Sequence, residues 1–203
     1  VVREMNKIGM MIDVSHCTDK TFYDILKITN KPLVATHSSP RKFTPNFERN
    51  MSDNMIKDLA NNNGLIMLNF GSGFISEQSN KSLGDINSKV EKYKIQNNLE
   101  DSDKKLLKYK DDLINSVKPF ASINDFIDTI DHVKELVGID HIGLGSDFEG
   151  LGNTLPYDLK DVSTYPNILY NLLEREYSEI EIKKICSDNL FRVWNANLQN
   201  RQI

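Results

Sequence analysis

Two histidines, His16 and His37, each follow a short apolar run, and this repeated arrangement is the first sign of chemistry in the sequence. Both fall where a buried strand would give way to a loop. In parallel α/β proteins, ligands and metals are bound at the carboxyl ends of the strands, where successive loops converge. The two histidines are one βα unit apart, so their imidazoles would lie on adjacent strands and could bind one metal ion.

Asp147 and Arg49 are the other candidates for a functional role. Asp147 follows Gly143, Gly145 and Ser146, small residues that allow a close approach of the backbone. A carboxylate beside a metal can orient a water molecule and move its proton, although an aspartate here could equally cap the next turn. Arg49 lies in the loop after His37 and could bind a carboxylate through two parallel hydrogen bonds, or could be an ordinary solvated arginine.

Three more residues are less promising as ligands. His132 lies among the apolar residues of a predicted helix and is expected to pack or to face solvent. His141 begins a predicted strand, at the end opposite to the expected site. Cys17 could be a soft ligand, but a buried small residue is the better interpretation.

The elements that would position these residues alternate between helices and strands. Strands are predicted at 10–14, 33–36, 65–70 and 139–145, and helices at 1–8, 18–29, 52–62, 122–138 and, as two or three helices, 164–199. The stretch 37–50 is predicted as a loop, and 71–121 as a solvated helical excursion with a break near 100–103. Alternation of this kind predicts an α/β fold with a parallel sheet.

Composition narrows the class of protein. The 203 residues suffice for one sizeable domain, 39% are hydrophobic and 27% are charged, which is typical of a globular chain. The net charge of −4 argues against nucleic acid as a partner. Two cysteines, Cys17 and Cys186, favour a reducing compartment, and a cytoplasmic location is expected. We expect neither a transmembrane segment nor a signal peptide, and we expect the chain to start inside a larger protein because its first residue is Val1.

Six segments in order resemble the membrane dipeptidase (renal dipeptidase) family of zinc peptidases: IDVSH (12–16), P-x-x-x-x-H-S-S (32–39), Arg49-Asn50, GLGSDFEG (143–150), L-x-D-V-S-x-Y-P (159–166) and D-N-L-x-R-V (188–193). The resemblance implies a (β/α)8 barrel with two zinc ions that hydrolyses dipeptides carrying a free amino group and a free carboxylate. It implies that His16 and His37 bind the second zinc and that Arg49 binds the substrate carboxylate. It also implies that Asp147 is the acidic residue near the bridging hydroxide and the substrate amino group, and so both catalytic and substrate-binding.

The sequence departs from the family pattern on one point. The H-x-D pair for the first zinc is missing, and the bridging glutamate and a further histidine of the family lie upstream of IDVSH. The resemblance therefore covers only the C-terminal half, and residues 1–203 are predicted to be one partial barrel domain, about strands five to eight, with extra helices at 80–120 and at the C-terminus. This chain would supply ligands for one of two zinc ions and, alone, would not turn over substrate.

Two alternative functions stay open. The chain could be a truncated or split, non-catalytic half-barrel that needs a separate N-terminal chain or self-association, for instance as a homodimer, because a four-strand half-barrel leaves two unpaired edges. It could also be another amidohydrolase-type barrel enzyme with a different amide substrate.

Overall fold

The computed structural model describes residues 1–199, which form a small parallel sheet surrounded by helices. Its strands are β1 (Val34–Ser38), β2 (Leu65–Leu68) and β3 (Ile142–Leu144), in the order β1-β2-β3. Ala35 pairs with Ile66, and Ile66 pairs with Ile142. Consecutive strands therefore lie side by side and point the same way, and the prediction of an α/β fold with a parallel sheet is confirmed. Residues 200–203 of the predicted domain lie outside the described part.

Ten α-helices are found in residues 1–199. They are α1 (Val2–Ile8), α2 (Asp19–Leu26), α3 (Asp53–Asn61), α4 (Ser72–Ile75), α5 (Glu77–Gln96), α6 (Lys104–Val117), α7 (Ile123–Val137), α8 (Tyr165–Glu174), α9 (Glu179–Lys183) and α10 (Asn189–Leu198). A π-helical turn, Lys184–Asp188, joins the last two, and short 3-10 turns occupy Arg41–Phe43, Ile139–His141 and Val162–Thr164. None of these helices is long and apolar enough to cross a membrane.

The core lies between the sheet and α7. The sequence predicts this helix from its apolar spacing, and the structure adds a capping box in which Ser122 and Asp125 satisfy each other's backbone N–H groups. Phe126 of α7 packs edge to face on Phe70, just after β2, with ring centroids 4.5 Å apart, and both side chains are fully buried. This packing fixes the carboxyl end of β2 against the helical layer.

The predicted helical excursion is present as α5 and α6, with its break at 97–103. These two helices bury few apolar side chains, Ile86 and Leu106 among them, and their tyrosines Tyr93 and Tyr109 stack with ring centroids 4.1 Å apart. The hairpin thus extends from the sheet layer rather than forming part of its core.

The prediction of a strand at 10–14 is wrong, because this segment makes only an isolated parallel bridge between Asp13 and Val34. The backbone exchanges two hydrogen bonds with Val34, from Val14 N–H (2.8 Å) and to Ile12 C=O (3.1 Å). The next donor along β1, the N–H of Thr36, goes instead to the Asp13 carboxylate at 3.0 Å. A side chain therefore replaces the next backbone pair, and the ladder ends there.

The fourth predicted strand and the predicted loop 37–50 also differ from the structure. The fourth predicted strand, 139–145, is a strand only at Ile142–Leu144, because its start is a 3-10 turn whose Ile139 carbonyl accepts from the Asn189 side chain at 2.8 Å. The predicted loop 37–50 is not loop throughout, since β1 includes His37 and Ser38 and a 3-10 turn follows.

Candidate functional site

His16 and His37 meet at the carboxyl edge of the sheet. Their Nε2 atoms lie 2.9 Å apart and their ring centroids 5.0 Å apart. Two imidazole nitrogens bound to one tetrahedral zinc would lie about 3.3 Å apart, given a zinc–nitrogen distance of roughly 2.0–2.1 Å. A small rotation of either ring would therefore allow both nitrogens to bind the same ion. The predicted convergence of the two side chains is present, and their role as ligands stays a prediction.

A chain of hydrogen bonds orients the His37 ring. The Thr36 hydroxyl donates to Asp13 Oδ2 at 2.5 Å and lies 2.8 Å from His37 Nδ1. Because that hydroxyl gives its only proton to Asp13, it accepts the proton of His37 Nδ1. Nε2 of a neutral His37 then carries a lone pair directed at the His16 ring, which is the tautomer a metal ligand needs.

Arg49 reaches the same edge from the loop after β1. One guanidinium nitrogen, Nη2, donates to the His37 carbonyl at 2.8 Å, and Nη1 donates to Ser38 Oγ at 3.1 Å. Its Nε is buried and has no hydrogen-bond partner among the described residues. Burial lowers the pKa of the guanidinium, an effect that Asp147 and Asp13 oppose. Arg49 is thus a cation fixed in position, and the second N–H of each Nη atom is left for a ligand.

Asp147 follows β3 and is oriented by a buried amide. Asn69 Nδ2 donates to Asp147 Oδ2 at 3.1 Å, while Asn69 Oδ1 accepts from the Gly71 N–H at 2.7 Å. A Cβ added at Gly150 would overlap the Asp147 carboxylate. A Cβ at Gly145 would overlap the Thr36 carbonyl oxygen, so the close backbone approach predicted for the glycines before Asp147 does occur.

The charges of these residues act on one another. Desolvation lowers the pKa of His16, and Arg49 and His37 lower it further, whereas Asp147 and Asp13 raise it. A lowered pKa keeps His16 neutral near pH 7, the form that binds metals. The structure therefore brings all four predicted site residues, His16, His37, Arg49 and Asp147, to one edge of the sheet.

The donor set suits a transition metal but is incomplete. Two neutral imidazoles with one ring oriented by a hydroxyl are typical zinc ligands and their support. Within residues 1–199, however, no group of three or more His, Cys, Asp or Glu side chains could hold an ion. The histidine pair therefore fits part of a metal site.

The less promising residues are placed largely as expected. His132 is buried in α7, with Nδ1 3.1 Å from Lys42 Nζ and Nε2 2.9 Å from Asp53 Oδ1. His141 lies before β3, at the opposite end of the strand, and its Nδ1 contacts the Gly64 carbonyl at 2.9 Å. Cys17 is only partly buried, although it packs against the core, and burial raises its thiol pKa.

Sequence reasoning missed Asp13, Thr36 and Asn69. Asp13 and Thr36 lie in or beside the segments that carry the two histidines, which was an available signal. Asn69 directly follows β2, and Asp147 follows β3 at the same edge of the sheet, so the strand-end rule could have found Asn69.

Comparisons with known proteins identify the family of the chain. The model of the family described as membrane dipeptidase (peptidase family M19) matches residues 1–202, and the chain belongs to this family. The resemblance predicted from the six segments is thereby confirmed.

Two curated relatives are dipeptidases by name. An uncharacterized dipeptidase of Schizosaccharomyces pombe is 32% identical over 192 residues, which is 94% of this chain and 36% of the relative. The dipeptidase tcpJ of Claviceps purpurea is 32% identical over 193 residues, 95% of this chain and 36% of the relative. The chain thus spans about a third of the length of these relatives.

Solved structures show the same relation. The probable dipeptidase PvdM from Pseudomonas aeruginosa superimposes with a TM-score of 0.77 at 25% identity, covering 98% of this chain and 53% of that one. A metallopeptidase from Rhodobacter sphaeroides, solved with a phosphinate mimic of the dipeptide L-Ala-D-Ala, gives a TM-score of 0.72 at 25% identity, with 97% and 45% covered. The fold of residues 1–199 is thus found within longer metallopeptidases.

Proposed function

We propose that this chain is the C-terminal part, about strands five to eight, of a (β/α)8 zinc dipeptidase. Family membership and the two dipeptidase relatives support hydrolysis of peptides. The strands β1, β2 and β3 lie side by side in sequence order in a parallel sheet, as neighbouring strands of a (β/α)8 barrel do. The single observation that carries the proposal is the convergence of His16 Nε2 and His37 Nε2 beside Arg49 and Asp147.

His16 and His37 would hold one of two zinc ions, with the other ligands supplied by polypeptide outside these 203 residues. When bound, the metal supplies a Lewis acid for the scissile carbonyl and an activated water. The Asp13–Thr36 pair keeps the His37 ring in the binding tautomer, and desolvation helps keep His16 unprotonated.

Arg49 would bind the free carboxylate of the dipeptide. Its guanidinium is positioned by the His37 carbonyl and Ser38, which take only one N–H from each of Nη1 and Nη2. A phosphinate dipeptide mimic bound to a structural neighbour is consistent with a substrate of this size. A fixed cation selects for a C-terminal carboxylate, because a carboxylate pairs with the fork of an arginine and a neutral end group does not.

Asp147 would form an ion pair with the substrate amino group and transfer a proton during hydrolysis. Asn69 holds one carboxylate oxygen, so the other can face a ligand. A carboxylate fixed between an amide and a backbone turn does not have to reorganise during the reaction, which favours proton transfer.

The test is hydrolysis by the intact enzyme of the dipeptide Ala-Ala and of its C-terminal amide, before and after removal of metal. We expect zinc-dependent turnover of Ala-Ala and weak activity toward the amide. Arg49→Met should raise KM for Ala-Ala by roughly 100-fold, the value of one or two charged hydrogen bonds, and should leave zinc content unchanged. If Arg49→Met lost zinc to the same degree as it lost activity, the role of Arg49 would be misassigned.

A split or truncated half-barrel is the second candidate, favoured by the incomplete ligand set within residues 1–199. In both cases residues 1–203 alone should not hydrolyse dipeptides. Restoration of activity by adding a separate N-terminal polypeptide would support the split form, and turnover by the isolated chain would contradict both.

A further inference from the structure

We infer that Arg41 is the positioning residue for Arg49. The guanidinium of Arg41 forms hydrogen bonds with the backbone on both sides of Arg49 and with the segment after His16. This inference rests on the proposed function, because it concerns how the carboxylate-binding arginine is held. Arg41 itself touches neither histidine ring in the contacts found within residues 1–199.

The contacts of Arg41 with the loop lie on either side of Arg49. Its Nε donates to the Asn50 carbonyl at 2.8 Å, and its Nη2 donates to the Glu48 carbonyl at 3.2 Å. The Glu48 carbonyl belongs to the peptide group directly before Arg49, and the Asn50 carbonyl belongs to the second peptide group after it. Fixing both sets the direction in which the chain passes through Arg49, and hence where its side chain begins.

The other side of the Arg41 guanidinium is anchored to α2. Nη1 donates to Asp19 Oδ2 at 3.0 Å and Nη2 donates to Asp19 Oδ1 at 2.6 Å. The two groups form a bidentate ion pair, and Asp19 is the first residue of that helix. Asp19 follows His16 by three positions. The hydrogen bond from Arg41 lowers the pKa of Asp19, so this carboxylate is ionised throughout the neutral range.

The arrangement links two parts of the candidate site that the sheet does not connect directly. Arg49 in turn donates to the His37 carbonyl and Ser38 at the end of β1. A displaced Arg49 would therefore lose its alignment with the strand end as well as with the substrate. Loss of this alignment weakens binding of the substrate carboxylate, because paired hydrogen bonds from a guanidinium depend on its orientation.

Only an arginine can make these contacts together. Four hydrogen bonds leave one planar group in fixed directions, and the ammonium of a lysine is a compact point charge without that geometry. The side chain of Arg41 is 20% exposed and that of Asp19 is 43% exposed, so water can satisfy part of the carboxylate after substitution, and what is lost is the fixed direction of the contacts. Arg41→Lys is therefore expected to behave like Arg41→Gln, although it conserves charge.

The experiment compares steady-state kinetics of the intact enzyme on Ala-Ala and its C-terminal amide. Arg41→Gln should raise KM for Ala-Ala by roughly tenfold, about the value of one weakened charged hydrogen bond, change kcat by less than about twofold, and leave kinetics on the amide unaltered. In the double variant with Arg49→Met, Arg41→Gln should add nothing, because its effect passes through Arg49. Arg175→Gln is the matched control, since Arg175 also forms ion pairs with carboxylates that are distant from it in sequence, those of Asp128 and Asp131.

The outcomes separate this inference from the proposed function. If Arg49→Met discriminates between the two substrates and Arg41→Gln impairs both equally or adds fully to Arg49→Met, the positioning role is overturned. If Arg49→Met does not discriminate, the proposed role of Arg49 fails and the inference fails with it. Should Arg41→Gln not fold, Asp19→Asn removes the charged anchor instead, and the same KM difference is expected in smaller degree.

Discussion

Replacing Thr36 by valine should weaken zinc binding without removing a ligand. Valine keeps the branched shape that suits β1 but lacks the hydroxyl that lies 2.8 Å from His37 Nδ1 and 2.5 Å from Asp13 Oδ2. A hydrogen bond involving a charged group contributes about 1.5–3 kcal/mol, and about 1.4 kcal/mol is a factor of ten. We therefore expect the zinc affinity of the intact enzyme to fall by roughly 10- to 100-fold, as for other residues that orient metal ligands.

The assay is competition for zinc between the metal-free enzyme and a chromophoric chelator. Thr129→Val is the matched control, because Thr129 is a buried threonine of α7 whose hydroxyl donates to the Phe126 carbonyl at 2.6 Å. His37→Ala gives the effect of losing the ligand itself. An unchanged affinity in Thr36→Val would refute the tautomer argument, and a loss as large as in His37→Ala would show that Thr36 does more than orient the ring.

Three further predictions concern stability, measured by urea denaturation. Asn69→Ala should destabilise the protein by about 1–3 kcal/mol, because the buried Gly71 N–H and the Asp147 carboxylate each lose a partner; no loss would mean that water replaces the amide. Gly145→Ala should cost about 1–3 kcal/mol through overlap with the Thr36 carbonyl, whereas Gly84→Ala, in open space within α5, should stabilise by about 0.5–1 kcal/mol; equal effects would contradict the packing. The pKa of Glu181 is lowered from 4.5 to about 2 by hydrogen bonds from Lys134 and Ser178, so its contribution to stability is fully present above pH 4.5 and lost as the pH falls toward 2. Glu181→Gln should therefore be less stable than wild type above pH 4.5, with a difference that shrinks toward pH 2; a difference independent of pH would contradict this account.

Topology made much of the candidate site predictable. Apolar runs located β1, β2 and β3, and the rule that parallel strands present their carboxyl ends at one edge brought His37 and Asp147 together across more than one hundred residues of sequence. His16 followed from the same rule, even though its own segment makes only a bridge. Placement of side chains by strand direction does not depend on how far each ladder extends.

The supporting polar contacts were beyond such reasoning. Asp13 takes the N–H of Thr36 away from the ladder, and Asn69 donates to Asp147 from 78 positions earlier in the chain. Periodicity records which residues are apolar, and it carries no information about the partner of a buried amide or carboxylate. The same limit explains the missed 3-10 turn at Ile139–His141, where side chains of the C-terminal helices take carbonyls that a strand would offer to β2.

Backbone conformation gives support for the site that is independent of family resemblance. Within residues 1–199, seven non-glycine residues have positive φ: His16, Asn46, Asn63, Asn98, Lys118, Asp147 and Glu176. Asparagine adopts this conformation readily, and Lys118 and Glu176 lie where α6 and α8 end, a common place for it. The two that remain are His16 and Asp147, and histidine and aspartate are, like asparagine, enriched in this conformation. Both turn out of the sheet at its carboxyl edge, which is where a shared ligand would need their side chains.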